Sequence, residues 1–143
     1  NGVPLYNLHA AGGGFSEAQQ AEQQRLIAVN AEVPLDSTCF ACEVVGESMN
    51  TVIPNGSICL FRAERGGSRN GKIVLVELWD ETGGAHYTVK EYRSVKMEDE
   101  SGWRHEKILL LPRSSDAAFE PLELRNDLLS NYRVVGEFVR VIR

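Results

Sequence analysis

The chain has 143 residues, 43% of them hydrophobic, with 15 basic and 20 acidic side chains for a net charge of −5. That length gives one domain its own core and is short for two. The acidic balance argues against a surface that holds nucleic acid by displacing counterions from phosphates, and no apolar run approaches the ~20 residues of a membrane helix.

In chain order, Asn1-Gly2-Val3-Pro4 has neither the basic start nor the apolar stretch of a secretory leader, and no initiator Met, which reads as a piece of a longer protein. Residues 1–14 read as an extended arm ending in Gly12-Gly13-Gly14. Residues 17–30, rich in Glu, Ala and Gln, have helix-forming composition, with Ser16 as the N-cap. Residues 38–45 form the first firm strand, and 48–52 open a short helical turn. Strands follow over 57–62, 72–79, 85–93, 107–112 and 132–142, with breaks at Pro54-Asn55-Gly56, Gly66-Gly67, Asn70-Gly71, Gly83-Gly84 and Ser101-Gly102. Residues 80–85 join two strands as a hairpin that returns Lys90 to the core. The expected fold is mainly β, of twisted antiparallel strands with few short helices. An N-terminal arm and linker over 1–37 precede a body over 38–143.

Three cysteines, an odd number, argue against a disulfide scaffold and for a reducing, cytoplasmic compartment. Cys39-Phe40-Ala41-Cys42 is spelled like a redox motif, but it lies in a strand, whereas that chemistry wants the pair at a helix start. Positions three apart on a strand face opposite sides, so the pair reads as two buried structural thiols. With no second Cys pair, and with His9, His86 and His105 scattered, no metal site is expected. Arg62, Arg65, Arg69 and Lys72 make a local basic patch best read as a solvated loop.

Ser48, in Gly46-Glu47-Ser48-Met49, and Lys90, in Thr88-Val89-Lys90-Glu91, suggest a Ser–Lys hydrolytic dyad. A serine hydroxyl is a poor nucleophile until a base takes its proton, and a lysine serves as that base only when uncharged. Burial disfavours the ammonium form and supplies that state. Tyr87, Val89 and Tyr92 around Lys90 are suited to provide it. A Ser–His–Asp triad built from His86, His105, Asp80 or Asp116 is a geometric constellation that sequence leaves open.

These two motifs, with Ile53-Pro54-Asn55-Gly56-Ser57-Ile58, Asn70-Gly71-Lys72-Ile73-Val74, Leu109-Leu110-Leu111-Pro112 and the closing Val134-Val135-Gly136-Glu137-Phe138, occur in an order that resembles the LexA, phage-repressor and UmuD family of self-cleaving proteins. The resemblance implies a LexA/signal-peptidase-like catalytic domain. It implies Ser48 as nucleophile, Lys90 as general base and the backbone amides of Glu47 and Ser48 as an oxyanion hole. Ala11-Gly12 resembles the family's scissile bond, although Gly12-Gly13-Gly14 also suits a plain flexible linker. Glu91 stands where basic residues are common in the family. The resemblance further implies no cofactor, the chain's own N-terminal arm as substrate and a RecA filament as partner in a DNA-damage (SOS) response. DNA contact falls to an upstream domain, and homodimerisation to residues 132–142, which are equally compatible with an internal strand. Two other classes stay open: a non-catalytic dimerisation module of a repressor, and a signal-peptidase-like protease acting in trans.

Overall fold

The computed structural model describes residues 2–6, 25–29, 35–63, 68–79, 85–98, 100–102, 104–124 and 132–142. Nine strands occupy them: β1 (Gly2–Tyr6), β2 (Arg25–Ala28), β3 (Cys39–Val44), β4 (Ser57–Ala63), β5 (Ile73–Trp79), β6 (Ala85–Glu98), β7 (Arg104–Leu111), β8 (Leu122–Leu124) and β9 (Tyr132–Val141). They form one sheet in the order β2-β1-β3-β4-β9-β5-β6-β7-β8. The mainly β expectation holds, and among the described residues there is no helix. Every pairing is antiparallel except β1 with β3, which run parallel with Leu5 opposite Ala41 and Tyr6 opposite Cys42. Parallel pairing puts the C-terminal ends of β1 and β3 at the same end of the sheet.

One expectation needs correction. Residues 25–28, assigned to a helix by composition, are strand β2, with Ile27 opposite Val3 and Leu26 opposite Pro4. Helix propensity is a weak prior that tertiary pairing overrides. The rest of that helix, residues 17–24, lies outside the described residues. Residues 132–142 form an internal strand, one of the two arrangements their pattern allows. β9 pairs with β4 on one side, from Cys59 opposite Val141 to Ala63 opposite Gly136, and with β5 on the other, from Val74 opposite Glu137 to Leu78 opposite Tyr132. Its backbone groups are committed to the sheet, so it offers no open edge to a partner strand.

Strands this apolar bury both faces. Phe40 and Cys42 of β3, Cys59 and Phe61 of β4, Leu75 of β5 and Val89 of β6 meet in one cluster with Met49 and Ile53. Phe40 stacks on Phe61 at 5.7 Å between ring centroids, and Phe138 of β9 meets Phe61 edge-on at 5.9 Å. The alternate residues Cys39, Ala41 and Leu60 pack on the other side with Val3 and Val29, while Val74 and Val76 of β5 pack with Tyr92, Ile108, Leu110 and Leu124. Cys39 and Cys42 therefore sit in different clusters, as buried free thiols.

β4 and β5 are not neighbours: β9, from the far end of the sequence, lies between them. One half of the sheet carries β3 and β4, joined by the segment that holds Ser48. The other half carries the β5–β6 hairpin that holds Lys90.

Candidate active site

The segment between β3 and β4 is closed by its own backbone. Gly46 and Gly56 adopt positive φ, +108° and +82°, which side chains with a Cβ rarely adopt. Gly46 N–H donates to Asn55 Oδ1 at 2.7 Å, and Gly56 N–H to the Val44 carbonyl at 2.8 Å. Within this closure Ile53 N–H donates to the Met49 carbonyl at 2.7 Å, forming the short helical turn expected there but no helix. Met49 and Ile53, four apart and so on one side of the turn, are 2% and 1% exposed and anchor it in the core. Ser48 is held half-buried beside them.

Lys90 arrives from β6, opposite Val74 of β5. Its Nζ lies 2.9 Å from Ser48 Oγ, 2.6 Å from Thr88 Oγ1 and 3.2 Å from the Val89 carbonyl. Burial holds the Lys90 pKa below a lysine's ordinary value. The two residues singled out from sequence, 42 positions apart, thus meet at hydrogen-bond distance. When Lys90 is neutral, its lone pair is within reach of the serine proton, the geometry general-base activation requires.

Among the described residues, Lys90 is the side-chain partner of the Ser48 hydroxyl. His86 and Asp116 are exposed, and Asp116 Oδ1 accepts from the Ala118 amide at 2.9 Å. The backbone N–H groups of Glu47 and Ser48 donate no hydrogen bond among the described residues. Ala11 and Gly12 lie outside the described residues.

Sequence reading missed the neighbours that hold this pair. Thr88 is two positions before Lys90 on the same strand, and the period-2 rule could have found it. Arg113 had no such signal. Its N–H donates to the Ser48 carbonyl at 2.8 Å, and its carbonyl accepts from Thr51 N–H at 3.0 Å and Thr51 Oγ1 at 2.8 Å. Its guanidinium binds Glu91 Oε1, with Nε at 2.9 Å, while Arg93 Nε meets Glu91 Oε2 at 3.1 Å. Glu91 is only 3% exposed, and its hydrogen bond from Arg113 holds its carboxyl below the usual carboxylate range.

Of the basic patch, Arg65 lies outside the described residues, and Lys72 and Arg69 are locally engaged. Lys72 pairs with Glu137 at 3.4 Å, and the Arg69 guanidinium lies 5.7 Å from the Tyr92 ring centroid. Among the described residues no group of three His, Cys, Asp or Glu side chains is placed to hold a metal ion, and no helix is long and apolar enough to cross a membrane.

Residues 4–139 match the profile of a peptidase family. That family is described as Peptidase S24-like, and the match covers nearly the whole chain, so the protein belongs to it. No curated protein and no solved structure matches the chain.

Proposed function

We propose that this is a LexA-like serine autopeptidase domain in which Lys90 activates Ser48 to cut the Ala11–Gly12 bond of its own N-terminal arm. The observation that carries the reading is the 2.9 Å contact between Lys90 Nζ and Ser48 Oγ, made by a lysine whose burial favours its neutral form. Neutral Lys90 takes the Ser48 proton as Oγ bonds to the Ala11 carbonyl carbon. The Glu47 and Ser48 amides meet the developing oxyanion. Lys90 then gives that proton to the Gly12 nitrogen as the C–N bond breaks. Water hydrolyses the resulting ester, releasing the Ala11 carboxylate and restoring the serine hydroxyl.

The parallel pairing of β1 with β3 supports an intramolecular substrate. The chain leaves β1 after Tyr6 at the end of the sheet where β3 leads into the Ser48 turn, and Ala11 follows Tyr6 by five positions. Uncut protein is then a balance of docked and undocked arms, and a partner that binds the docked form accelerates cleavage. By the family's pattern that partner is a RecA filament, the setting a stress-responsive transcriptional repressor, and the DNA contact a domain preceding this one. A homodimer through residues 132–142 would use the side chains of β9, because its edges are occupied.

The test is intact mass against time from neutral to alkaline pH. A cut after Ala11 is expected, faster as Lys90 deprotonates, absent in Ser48→Ala and slowed by about 10²-fold or more in Lys90→Ala. A first-order rate independent of protein concentration marks cleavage in cis, and a concentration-dependent one marks trans. No cut at any pH, with or without an activated RecA filament, turns the reading to a non-catalytic dimerisation module.

A further inference from the structure

We infer that the Glu91–Arg113 ion pair is a clamp that holds the Ser48 turn in register with Lys90, making both residues positioning residues of the site. Its catalytic consequence rests on the Ser–Lys reading; the clamp itself does not. Ser48 belongs to the β3–β4 half of the sheet and Lys90 to the β5–β6 half; among the described residues β9 bridges these halves within the sheet, and their side chains share one core. At the site a further connection exists. The backbone of Arg113, just past β7, is bonded in both directions to the turn, donating to Ser48 and accepting from Thr51. Nearby, Asn50 and Ser115 extend the contact, Asn50 Nδ2 to Ser115 Oγ at 3.0 Å and Ser115 N–H to Asn50 Oδ1 at 2.9 Å.

What fixes Arg113 is its side chain, which returns to Glu91, the residue next to Lys90. Glu91 is nearly sealed from solvent and a half-exposed guanidinium is bound to it. Charge-assisted hydrogen bonds of this kind are short and directional, and a buried carboxylate has strong reason to keep its partner. The path Lys90–Glu91–Arg113–Ser48 therefore runs from base to nucleophile through one peptide link, one ion pair and one backbone hydrogen bond. A misplacement of about 1 Å between reacting groups can cost about 10²-fold in rate.

Two measurements test this. In a chain carrying Ser48→Ala, which removes the nucleophile, amide hydrogen exchange is followed by NMR at Thr51 and Arg113, with Val74 and Val76 as core references. Arg113→Met and Glu91→Gln should each speed exchange at Thr51 and Arg113 by roughly tenfold or more. The core references should hold, the double variant should be no faster than Arg113→Met alone, and Arg113→Lys should fall between. Unchanged exchange at Thr51 and Arg113 in Arg113→Met overturns the clamp. With Ser48 intact, the double variant Glu91→Gln/Arg113→Met removes the pair and leaves no buried charge, Arg93, the other partner of Glu91, being half-exposed. Its self-cleavage plateau should drop roughly 10- to 100-fold with an unchanged pH midpoint. A moved midpoint with an unchanged plateau assigns the pair to charge tuning and overturns the positioning role. If the parent chain does not cut itself at all, the Ser–Lys reading fails, while the exchange measurement still decides the clamp.

Discussion

On the proposed Ser–Lys reading, Lys90 meets two demands that conflict. Folding it beside the core disfavours its ammonium form, and the same disfavour makes it a base. The linkage is measurable. With the folded-state pKa lowered, the burial cost is present in full below that pKa. Between it and the unfolded value of about 10.4, the unfolded chain binds a proton that the folded chain does not, so stability rises with pH. In a Ser48→Ala background, urea midpoints of the Lys90 chain should rise across that window relative to Lys90→Met; a difference flat in pH would mean an ordinary lysine. On the same reading, Thr88 supplies orientation. Its Oγ1, 2.6 Å from Nζ, steadies the amine against Ser48. Thr88→Val should slow self-cleavage by about tenfold, and Thr88→Ser, which keeps the hydroxyl, should restore most of it. Kinetics of the two variants at one alkaline pH decide this.

At the scale of elements, β9 carries a tight packing constraint. A Cβ on Gly136 would stand 2.9 Å from Phe40 Cζ and 3.0 Å from the Arg62 carbonyl oxygen. It sits where the β5 register shifts, Leu75 facing Gly136 and Val76 facing Val134. Gly136→Ala should destabilise by about 1–3 kcal/mol, as overpacking of a filled core does, read as a lowered urea midpoint with unchanged slope. An unchanged midpoint would show that Phe40 moves aside freely. Near-continuous apolar runs made β3, β4 and β5 legible in sequence, because both of their faces are buried. β6 and β7 run beyond their sequence-based bounds, to Glu98 and back to Arg104, since a hairpin extends by backbone pairing whatever the polarity of its exposed side chains. β8, three residues long, carries too short a pattern to read.

For the whole molecule, chain order and spatial order disagree at two places, at β1 between β2 and β3 and, decisively, at β9 between β4 and β5. The last strand joins the serine half to the lysine half, so neither half keeps its position without it. Removing residues 132–143 should abolish the cooperative thermal transition seen by circular dichroism, along with any self-cleavage. A shortened chain that still melts cooperatively would show that the shared core and the Arg113 contacts hold the halves together without β9. The net charge of −5 bears on the same scale. At near-physiological salt the chain should give no shift of duplex DNA at micromolar concentration in a gel assay, and a firm shift would place a DNA-binding surface on this domain.

Sequence by itself determined the strand-rich class, singled out Ser48 and Lys90, which the fold brings to 2.9 Å, and pointed to Cys39 and Cys42 as buried thiols. Each is written in local pattern: apolar runs, a serine after an apolar strand, a lysine among aromatic and branched neighbours. Tertiary structure alone decided that residues 25–28 pair as a strand, that β9 lies inside the sheet, and that Glu91 finds Arg113. Those outcomes depend on contacts between segments far apart in the chain. Such contacts leave no local signature, because the free energy that selects them is released only when the sheet closes around a shared core.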